Sequence, residues 1–229
     1  MQPVQIIGVA AVLIANLFSA DRLTAETVDL NLVLAIDCSF SVSSVEYRQQ
    51  MSGTAAAFLD ETIIAAIQGG PTGKIGVSVV QWSNDDSQIV VVPWTLISTA
   101  DDGARLARAI EYAPRVAEDG ATSISQMIYY GLDVLAAAPF SAPRQTIDIA
   151  GDGENNIGPD VRTARDLAVS YGVTINGLAI TNARENLHIY YRNNVIGGVA
   201  PFVEVADDFD AYGEAIKAKL LKEIRQPTS

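Results

Sequence analysis

Residues 30–41 read LNLVLAIDCSFS, and this stretch decides how the rest of the chain is interpreted. Its first part, Leu30–Ile36, is apolar and rich in strand-forming residues, which is typical of a strand buried on both faces of a parallel sheet. Asp37, Ser39 and Ser41 follow directly at the carboxyl end of that strand. Open α/β sheets bind their ligands at this end. The stretch therefore predicts an α/β sheet with a polar site above its first long strand.

Strand and helix signals alternate along the rest of the chain. Further strands are predicted at residues 75–82, 89–97, 146–150, 173–180 and 202–205, the second of these being antiparallel. Helices are predicted at residues 43–68, 101–112, 123–138 and 160–171, followed by a last helix from residue 209. This alternation predicts one α/β domain at residues 26–229, with a doubly wound, mostly parallel six-stranded sheet and helices on both faces.

The N-terminal segment differs from the rest of the sequence. Residues 6–18 read IIGVAAVLIANLF, an apolar run with the length of a secretory h-region and too short for a spanning helix. We expect residues 1–25 to be a signal peptide cleaved after Ala25. The segment before the run contains no Lys or Arg, so an uncleaved anchor and a buried first helix stay open as alternatives. The interpretation as a signal peptide places the domain in the periplasm or outside the cell.

The composition excludes several classes of protein and partner. The chain has 229 residues, of which 49% are hydrophobic and 18% charged, and this rules out extensive disorder. The single cysteine, Cys38, cannot form an internal disulfide and is expected to be a small buried hydrophobe. A net charge of −12 disfavours nucleic acid and anionic membrane surfaces as partners, which leaves only the N-terminal segment as a possible membrane anchor.

Three oxygen-rich stretches are expected at the same edge of the sheet. Asp37, Ser39 and Ser41 follow the first strand, Thr122 precedes a helix, and Asp152 follows the strand at residues 146–150. Carboxylates and hydroxyls suit hard cations such as Mg²⁺, Mn²⁺ and Ca²⁺ better than Zn²⁺ or Cu²⁺. The five residues therefore form a candidate divalent-cation site, with Mg²⁺ as the first choice. The alternative is that they only cap helices and close turns.

The same residues resemble the metal-ion-dependent adhesion site of von Willebrand factor A domains. The order Asp37-x-Ser39-x-Ser41, then Thr122, then Asp152-Gly carries the resemblance, and residues 146–156 (TIDIAGDGENN) resemble an exported bacterial branch of unassigned function. The resemblance implies that the two serines and the threonine contact the metal, while the aspartates act through water or hydroxyl groups. It also implies that an Asp or Glu of a protein or peptide partner fills the open coordination position.

Three functions are compatible with such a site. The first is a non-catalytic, metal-dependent binding module. The second is a metal-dependent hydrolase on the same sheet, although Ser39 stands where a phosphohydrolase would need a second aspartate. The third is a scaffold or assembly subunit in which no metal binds. No dinucleotide fingerprint, phosphate loop or serine-hydrolase elbow is present in the sequence, so we expect a binding protein and no enzyme.

Other polar residues are expected to have roles outside the ligand set. Asp148 lies within a predicted strand, so its carboxylate needs a partner in the core. His188, the single histidine, is expected to have a surface or packing role. The residues after Asp152 serve either the rim of the site or its turn: Glu154, Asn155 and Asn156. The basic residues near the C-terminus are expected to form a solvated helix face: Lys217, Lys219, Lys222 and Arg225.

Overall fold

A six-stranded sheet forms the centre of the computed structural model, which describes residues 25–117 and 120–225. In these residues the strands are β1 (Glu26–Thr27), β2 (Leu30–Asp37), β3 (Ile75–Trp82), β4 (Gln88–Ile97), β5 (Phe140–Ser141), β6 (Gln145–Gly151), β7 (Thr174–Ile180) and β8 (Val203–Ala206). The sheet order is β4-β3-β2-β6-β7-β8, and a separate short ladder joins β1 to β5. All pairs are parallel except β3 with β4.

Helices cover both faces of this sheet, as the alternation of signals predicts. They are α1 (Ser44–Leu59), α2 (Glu61–Gln68), α3 (Ala100–Glu111), α4 (Ile124–Ala136), α5 (Val161–Ser170), α6 (Leu187–Tyr190) and α7 (Tyr212–Arg225), with a π-helical segment at Tyr191–Val195. Leu32 and Leu34 pack into a core with α1, α2, α3 and α7, whereas Val33 and Ala35 pack into a second core with α4 and α5. Successive side chains of a strand point to opposite faces, so β2 serves both cores.

The direction in which strands are added reverses between β2 and β6. From β2 the chain adds β3 on one side, and β6 later pairs with the other side of β2. The order of strands therefore reverses at this pair, and a crevice opens above the carboxyl ends of the two strands. The predicted six-stranded, mostly parallel sheet is confirmed.

The prediction of one continuous helix at residues 43–68 is wrong, because the segment forms two helices. Asp60 adopts an extended conformation, ends α1, and caps α2 by accepting a hydrogen bond from the Thr62 amide at 2.8 Å. The start of the helix follows the prediction, because Ser43 and Glu46 form a reciprocal capping box.

The expectation of a solvated basic face on the last helix is wrong for Lys219. Its ammonium group is fully buried, 2.6 Å from Asp148 Oδ1 and 3.3 Å from Glu223 Oε1. Asn176 donates a further hydrogen bond of 2.8 Å to Glu223. The partner that Asp148 needs is therefore a lysine ammonium, and this cluster fastens α7 to β6 and β7.

No helix in the described residues is long and apolar enough to cross a membrane. The predicted signal peptide at residues 1–25 lies outside the described residues, apart from Ala25 itself.

Candidate metal centre

Three loops meet at the carboxyl edge of the sheet. The β2–α1 loop and the loop after β6 are neighbours because their strands are paired. The segment before α4 joins both of them through backbone hydrogen bonds: Phe40 N–H donates to Gly120 O at 3.0 Å, and Asn156 N–H donates to Thr122 O at 2.9 Å. Residues distant in sequence are thereby brought to one crevice.

A chain of hydrogen bonds links four of the five predicted site residues. Asp37 Oδ1 accepts from the Ser39 amide at 2.7 Å, and the hydroxyl groups of Ser39 and Ser41 lie 3.3 Å apart. The Ser41 hydroxyl then donates to Asp152 Oδ1 at 2.6 Å. Asp37, Ser39 and Asp152 are buried, whereas Ser41 lies at the surface. The hydroxyl groups and carboxylates therefore form one continuous cluster that opens to solvent at Ser41.

Thr122 completes the cluster from the third loop. It lines the same cleft as Ser41 and Asp152, and a Cβ atom placed on Gly153 would lie 3.3 Å from its Oγ1. Asn156 holds Thr122 in place, because its side-chain oxygen accepts from the Thr122 amide and its own amide donates to Thr122 O, both at 2.9 Å. Asn156 also lines the cleft, so it lies at the rim of the site and holds two of its loops together.

The two carboxyl groups lie in an environment that disfavours their charge. Burial and the nearby charge of Asp152 raise the pKa of Asp37 to about 7. Burial also raises the pKa of Asp152, and the hydrogen bond from Ser41 partly offsets that effect. Two partly desolvated carboxylates at one site oppose each other's ionisation, and a positive charge between them favours it. A bound cation would supply that charge.

The residues present fit a hard dication. Asp37 Oδ2 is buried and has no hydrogen bond within the part of the chain that the structure describes. It faces the Cα atom of Gly151, where a Cβ atom would fall 2.7 Å from Asp37 Oδ2 and 2.9 Å from the Tyr191 hydroxyl. No cluster of three or more His, Cys, Asp or Glu suited to a metal occurs in residues 25–117 and 120–225, so a metal here would depend on hydroxyl ligands. Such an all-oxygen set suits Mg²⁺, Mn²⁺ or Ca²⁺.

Two residues that the sequence analysis missed support the β2–α1 loop from behind. Arg115 donates to the carbonyl oxygen of Val42 at 2.8 Å and to that of Cys38 at 2.9 Å. Gln50 Nε2 donates to the carbonyl oxygen of Asp37 at 3.0 Å. These bonds fix the loop backbone so that its serine side chains point at the crevice. Neither residue belongs to a local motif, so nothing in the sequence identified it.

The remaining reactive side chains near this edge are not part of the centre. Cys38 is buried as expected, and burial raises the pKa of its thiol to about 12, so it is not a thiolate ligand at neutral pH. His188 contacts the carbonyl oxygen of Glu185 at 3.1 Å and is not among the residues that line the cleft. The chemistry of the centre therefore belongs to its carboxylates and hydroxyl groups.

Comparison with known families gives one match over almost the whole domain. A family model described as "Protein of unknown function (DUF1194)" matches residues 27–228. A search of curated proteins finds no significant match to the chain.

Comparison with solved structures confirms the von Willebrand factor A fold. A "von Willebrand factor type A from Catenulispora acidiphila" aligns with a TM-score of 0.56 and 16% identity, over 86% of this chain and 43% of that one. Proximal thread matrix protein 1 from the mussel byssus, "with zinc occupied MIDAS motif", aligns with a TM-score of 0.58 and 16% identity, over 87% and 48%. The pilus adhesin SpaC from Lactobacillus rhamnosus GG aligns with a TM-score of 0.57 and 15% identity, over 89% and 31%. The chain thus spans half or less of the length of these structures.

Proposed function

The chain belongs to the DUF1194 family, and from the geometry of its candidate metal centre we propose that it is a metal-dependent binding module. One observation carries this proposal. The buried Asp37 carboxylate, whose Oδ2 has no hydrogen bond in the described residues, joins a cluster with two serine hydroxyl groups and a second carboxylate through its other oxygen. An unpaired buried carboxylate oxygen is costly, and a cation removes that cost.

Each residue of the cluster has a role in holding the cation. Ser39, Ser41 and Thr122 offer neutral hydroxyl oxygens, and Asp37 and Asp152 supply negative charge directly or through water. When bound, the cation supplies Lewis acidity and an open position for an external ligand. Mg²⁺ is our first choice, with Mn²⁺ and Ca²⁺ as alternatives. The zinc reported for the byssus protein supports a divalent cation at this type of site.

We propose that the external ligand is the Asp or Glu side chain of a protein or peptide. A carboxylate matches the charge and hardness of the cation. The adhesin and matrix proteins among the structural neighbours support a partner that is itself a protein. We further propose that binding takes place in the periplasm or outside the cell, as the apolar N-terminal run suggests.

A non-catalytic role agrees with the residues around the cleft. Within the described part of the chain, the titratable side chains that line it are Asp152, Glu154 and Arg184. This set contains no His or Cys, and the hydroxyl–carboxylate pair that lines the cleft, Ser41 with Asp152, is assigned to the cation. We therefore propose a binding protein in preference to a metal-dependent hydrolase.

The test is metal-dependent capture of a carboxylate. The full chain is titrated with the labelled peptide acetyl-Gly-Gly-Asp-Gly-Gly-amide and with the matched asparagine peptide, in Mg²⁺ and in EDTA. We expect binding of the aspartate peptide only in Mg²⁺, and loss of that binding in Asp152→Ala. Asp101→Ala is the matched control. Asp101 is exposed in the first turn of α3, and its substitution removes the same charge as Asp152→Ala.

Two results would contradict the proposal. Equal binding of the aspartate and asparagine peptides would show that no carboxylate is recognised. Binding that persists in EDTA and in Asp152→Ala would favour a scaffold that uses this surface without a metal.

A further inference from the structure

The cleft above the metal centre has an exposed aromatic side chain on one side. Phe40 stands between Ser39 and Ser41, and 80% of its surface is exposed. Its backbone is held by the hydrogen bond to Gly120 O, so the ring projects from a fixed loop. Burial of such a ring is favourable because it removes apolar surface from water, and here that free energy is available to a partner.

The other side of the cleft carries a positive charge. Arg184 follows β7 and lies 3.8 Å from Glu154 Oε1, with 56% and 45% of the two side chains exposed. An exposed pair at this distance contributes little to stability, so the guanidinium can rearrange to meet another acid.

The order of strands fixes the order of these groups. β2, β6 and β7 are consecutive neighbours in the sheet, and the loops after them carry Phe40, Asp152 and Arg184 respectively. Neighbouring strands lie about 4.8 Å apart, so the first and last of these loops start roughly 10 Å from each other. The metal centre lies between them, in a cleft of about 900 Å³ that all three residues line.

From this arrangement we propose that the chain recognises an acidic segment with two flanking features. The central carboxylate meets the metal centre, an apolar side chain on one side of it packs on Phe40, and a second carboxylate on the other side pairs with Arg184. This inference rests on the proposed function and names its class of partner. An extended segment rises about 3.3 Å per residue, so two flanking groups some three residues apart span the distance.

The negative charge of the chain requires a basic side chain such as Arg184 for the second carboxylate of the partner to bind. The chain carries a net charge of −12, and Glu154 lines the cleft beside Asp152. A partner with two carboxylates would be repelled from such a surface unless local positive charges meet both of them. The cation meets the first carboxylate, and Arg184 is the basic side chain among the described residues that line the cleft.

The experiment compares matched peptides and matched variants of the full chain in saturating Mg²⁺ and in EDTA. The parent peptides are acetyl-Gly-Leu-Asp-Gly-Glu-Gly-amide and the same residues in reversed order. One derivative of each carries serine in place of leucine, and another carries glutamine in place of glutamate. Affinities are measured by fluorescence anisotropy for wild type, Phe40→Ser and Arg184→Gln.

We expect at least one parent peptide to bind about fivefold to tenfold more tightly than either of its derivatives, as for one good contact each. Phe40→Ser should abolish the advantage of leucine over serine and leave that of glutamate over glutamine. Arg184→Gln should abolish the advantage of glutamate over glutamine and leave that of leucine over serine. Val45→Ser and Arg192→Gln are the controls, because both side chains are exposed and neither lines the cleft.

The outcomes separate the two levels of the proposal. If all peptides bind equally in Mg²⁺ and not in EDTA, the flanking contacts are refuted and the metal-dependent function stands. If no peptide shows metal-dependent binding, the proposed function fails and the inference fails with it. If the advantages persist unchanged in both variants, Phe40 and Arg184 do not select the partner.

Discussion

The carboxyl group of Asp37 combines full burial, a second carboxyl group nearby and one oxygen without a hydrogen bond in the described residues. Its pKa is about 7 in the folded chain against an ordinary value of 3.8. Because the folded state holds this proton more tightly, the free energy of unfolding contributed by Asp37 falls as the pH rises from about 4 to 7. In EDTA we expect this fall in urea denaturation of the wild-type chain.

The variant Asp37→Asn isolates that contribution. Asparagine retains an oxygen that can accept the Ser39 amide but has no titrating proton. The difference in stability between wild type and variant should therefore change between about pH 4 and 7 and level off above that range. A difference that is constant with pH would mean that the pKa of Asp37 is the same in the folded and the unfolded chain, as for an ordinary exposed carboxylate.

Gly151 leaves the space in which Asp37 Oδ2 and the Tyr191 hydroxyl face each other. Gly151→Ala would place a Cβ atom 2.7 Å from the first and 2.9 Å from the second, closer than normal contact. We expect a loss of about 1–3 kcal/mol in urea denaturation, since neither neighbour is at the end of a flexible chain. Gly213→Ala is the control: its Cβ would meet only Gly53 Cα, at 3.7 Å, so its stability should be unchanged or slightly higher. Equal effects of the two substitutions would contradict this packing.

The site residues that directly follow a strand could be predicted from the sequence. The residues that hold the site loop in place from distant parts of the chain could not. Asp37, Ser39 and Ser41 are adjacent to a recognisable strand, so their placement follows from local pattern. Arg115 reaches Cys38 across 77 residues of sequence, and only the folded chain brings the two together. Tyr191 is fully buried in a π-helical segment with its hydroxyl beside Gly151, a position that no local sequence pattern predicts.

At the scale of elements, the position of α7 depends on a buried charge cluster. Lys219 lies between Asp148 and Glu223, and all three are nearly inaccessible to solvent. Burial and the neighbouring Glu223 raise the pKa of Asp148, while Lys219 opposes that rise. Removal of the ammonium would leave two buried carboxyl groups without their cation, a change that typically costs about 3–5 kcal/mol.

We therefore expect Lys219→Met to lower the free energy of unfolding by about that amount, although methionine is similar in volume. The matched control is Lys222→Met on the same helix, because Lys222 is exposed and lies over the Phe202 ring at 4.0 Å. That variant should lose about 1 kcal/mol or less. Similar losses for both variants in urea denaturation would show that the buried cluster does not hold α7 in place.

The sequence pattern gave a wrong prediction for α7 because the same spacing of charged residues occurs on exposed and on buried helix faces. Lys219 and Glu223 are spaced i, i+4, which usually indicates an exposed ion pair on a helix surface. Here the same spacing points inward because Asp148, inside a buried strand, needs a cation. Asp60 likewise divides α1 from α2 without Gly or Pro, because its carboxylate replaces the broken backbone hydrogen bonds at the start of α2.

At the scale of the whole molecule, the alternation of strands and helices was sufficient to predict the sheet. Buried apolar strands separated by helices allow few arrangements other than a doubly wound sheet, and the observed order β4-β3-β2-β6-β7-β8 is one of these. The short ladder of β1 with β5 was not predicted, because two-residue strands carry no periodic signal. The fold alone does not specify a function, which belongs to the groups at the carboxyl edge.

The most direct measurement is thermal unfolding of the full chain in EDTA and then in Mg²⁺, Mn²⁺ or Ca²⁺, for wild type, Asp152→Ala and Asp101→Ala. A cation at one hundred times its Kd stabilises the folded state by about 2.7 kcal/mol, which is roughly 5–10 °C in Tm for a domain of this size. We predict that rise for wild type and Asp101→Ala and its loss in Asp152→Ala. A Tm that does not change with any of the three cations in wild type, or that rises equally in Asp152→Ala, would contradict the metal centre.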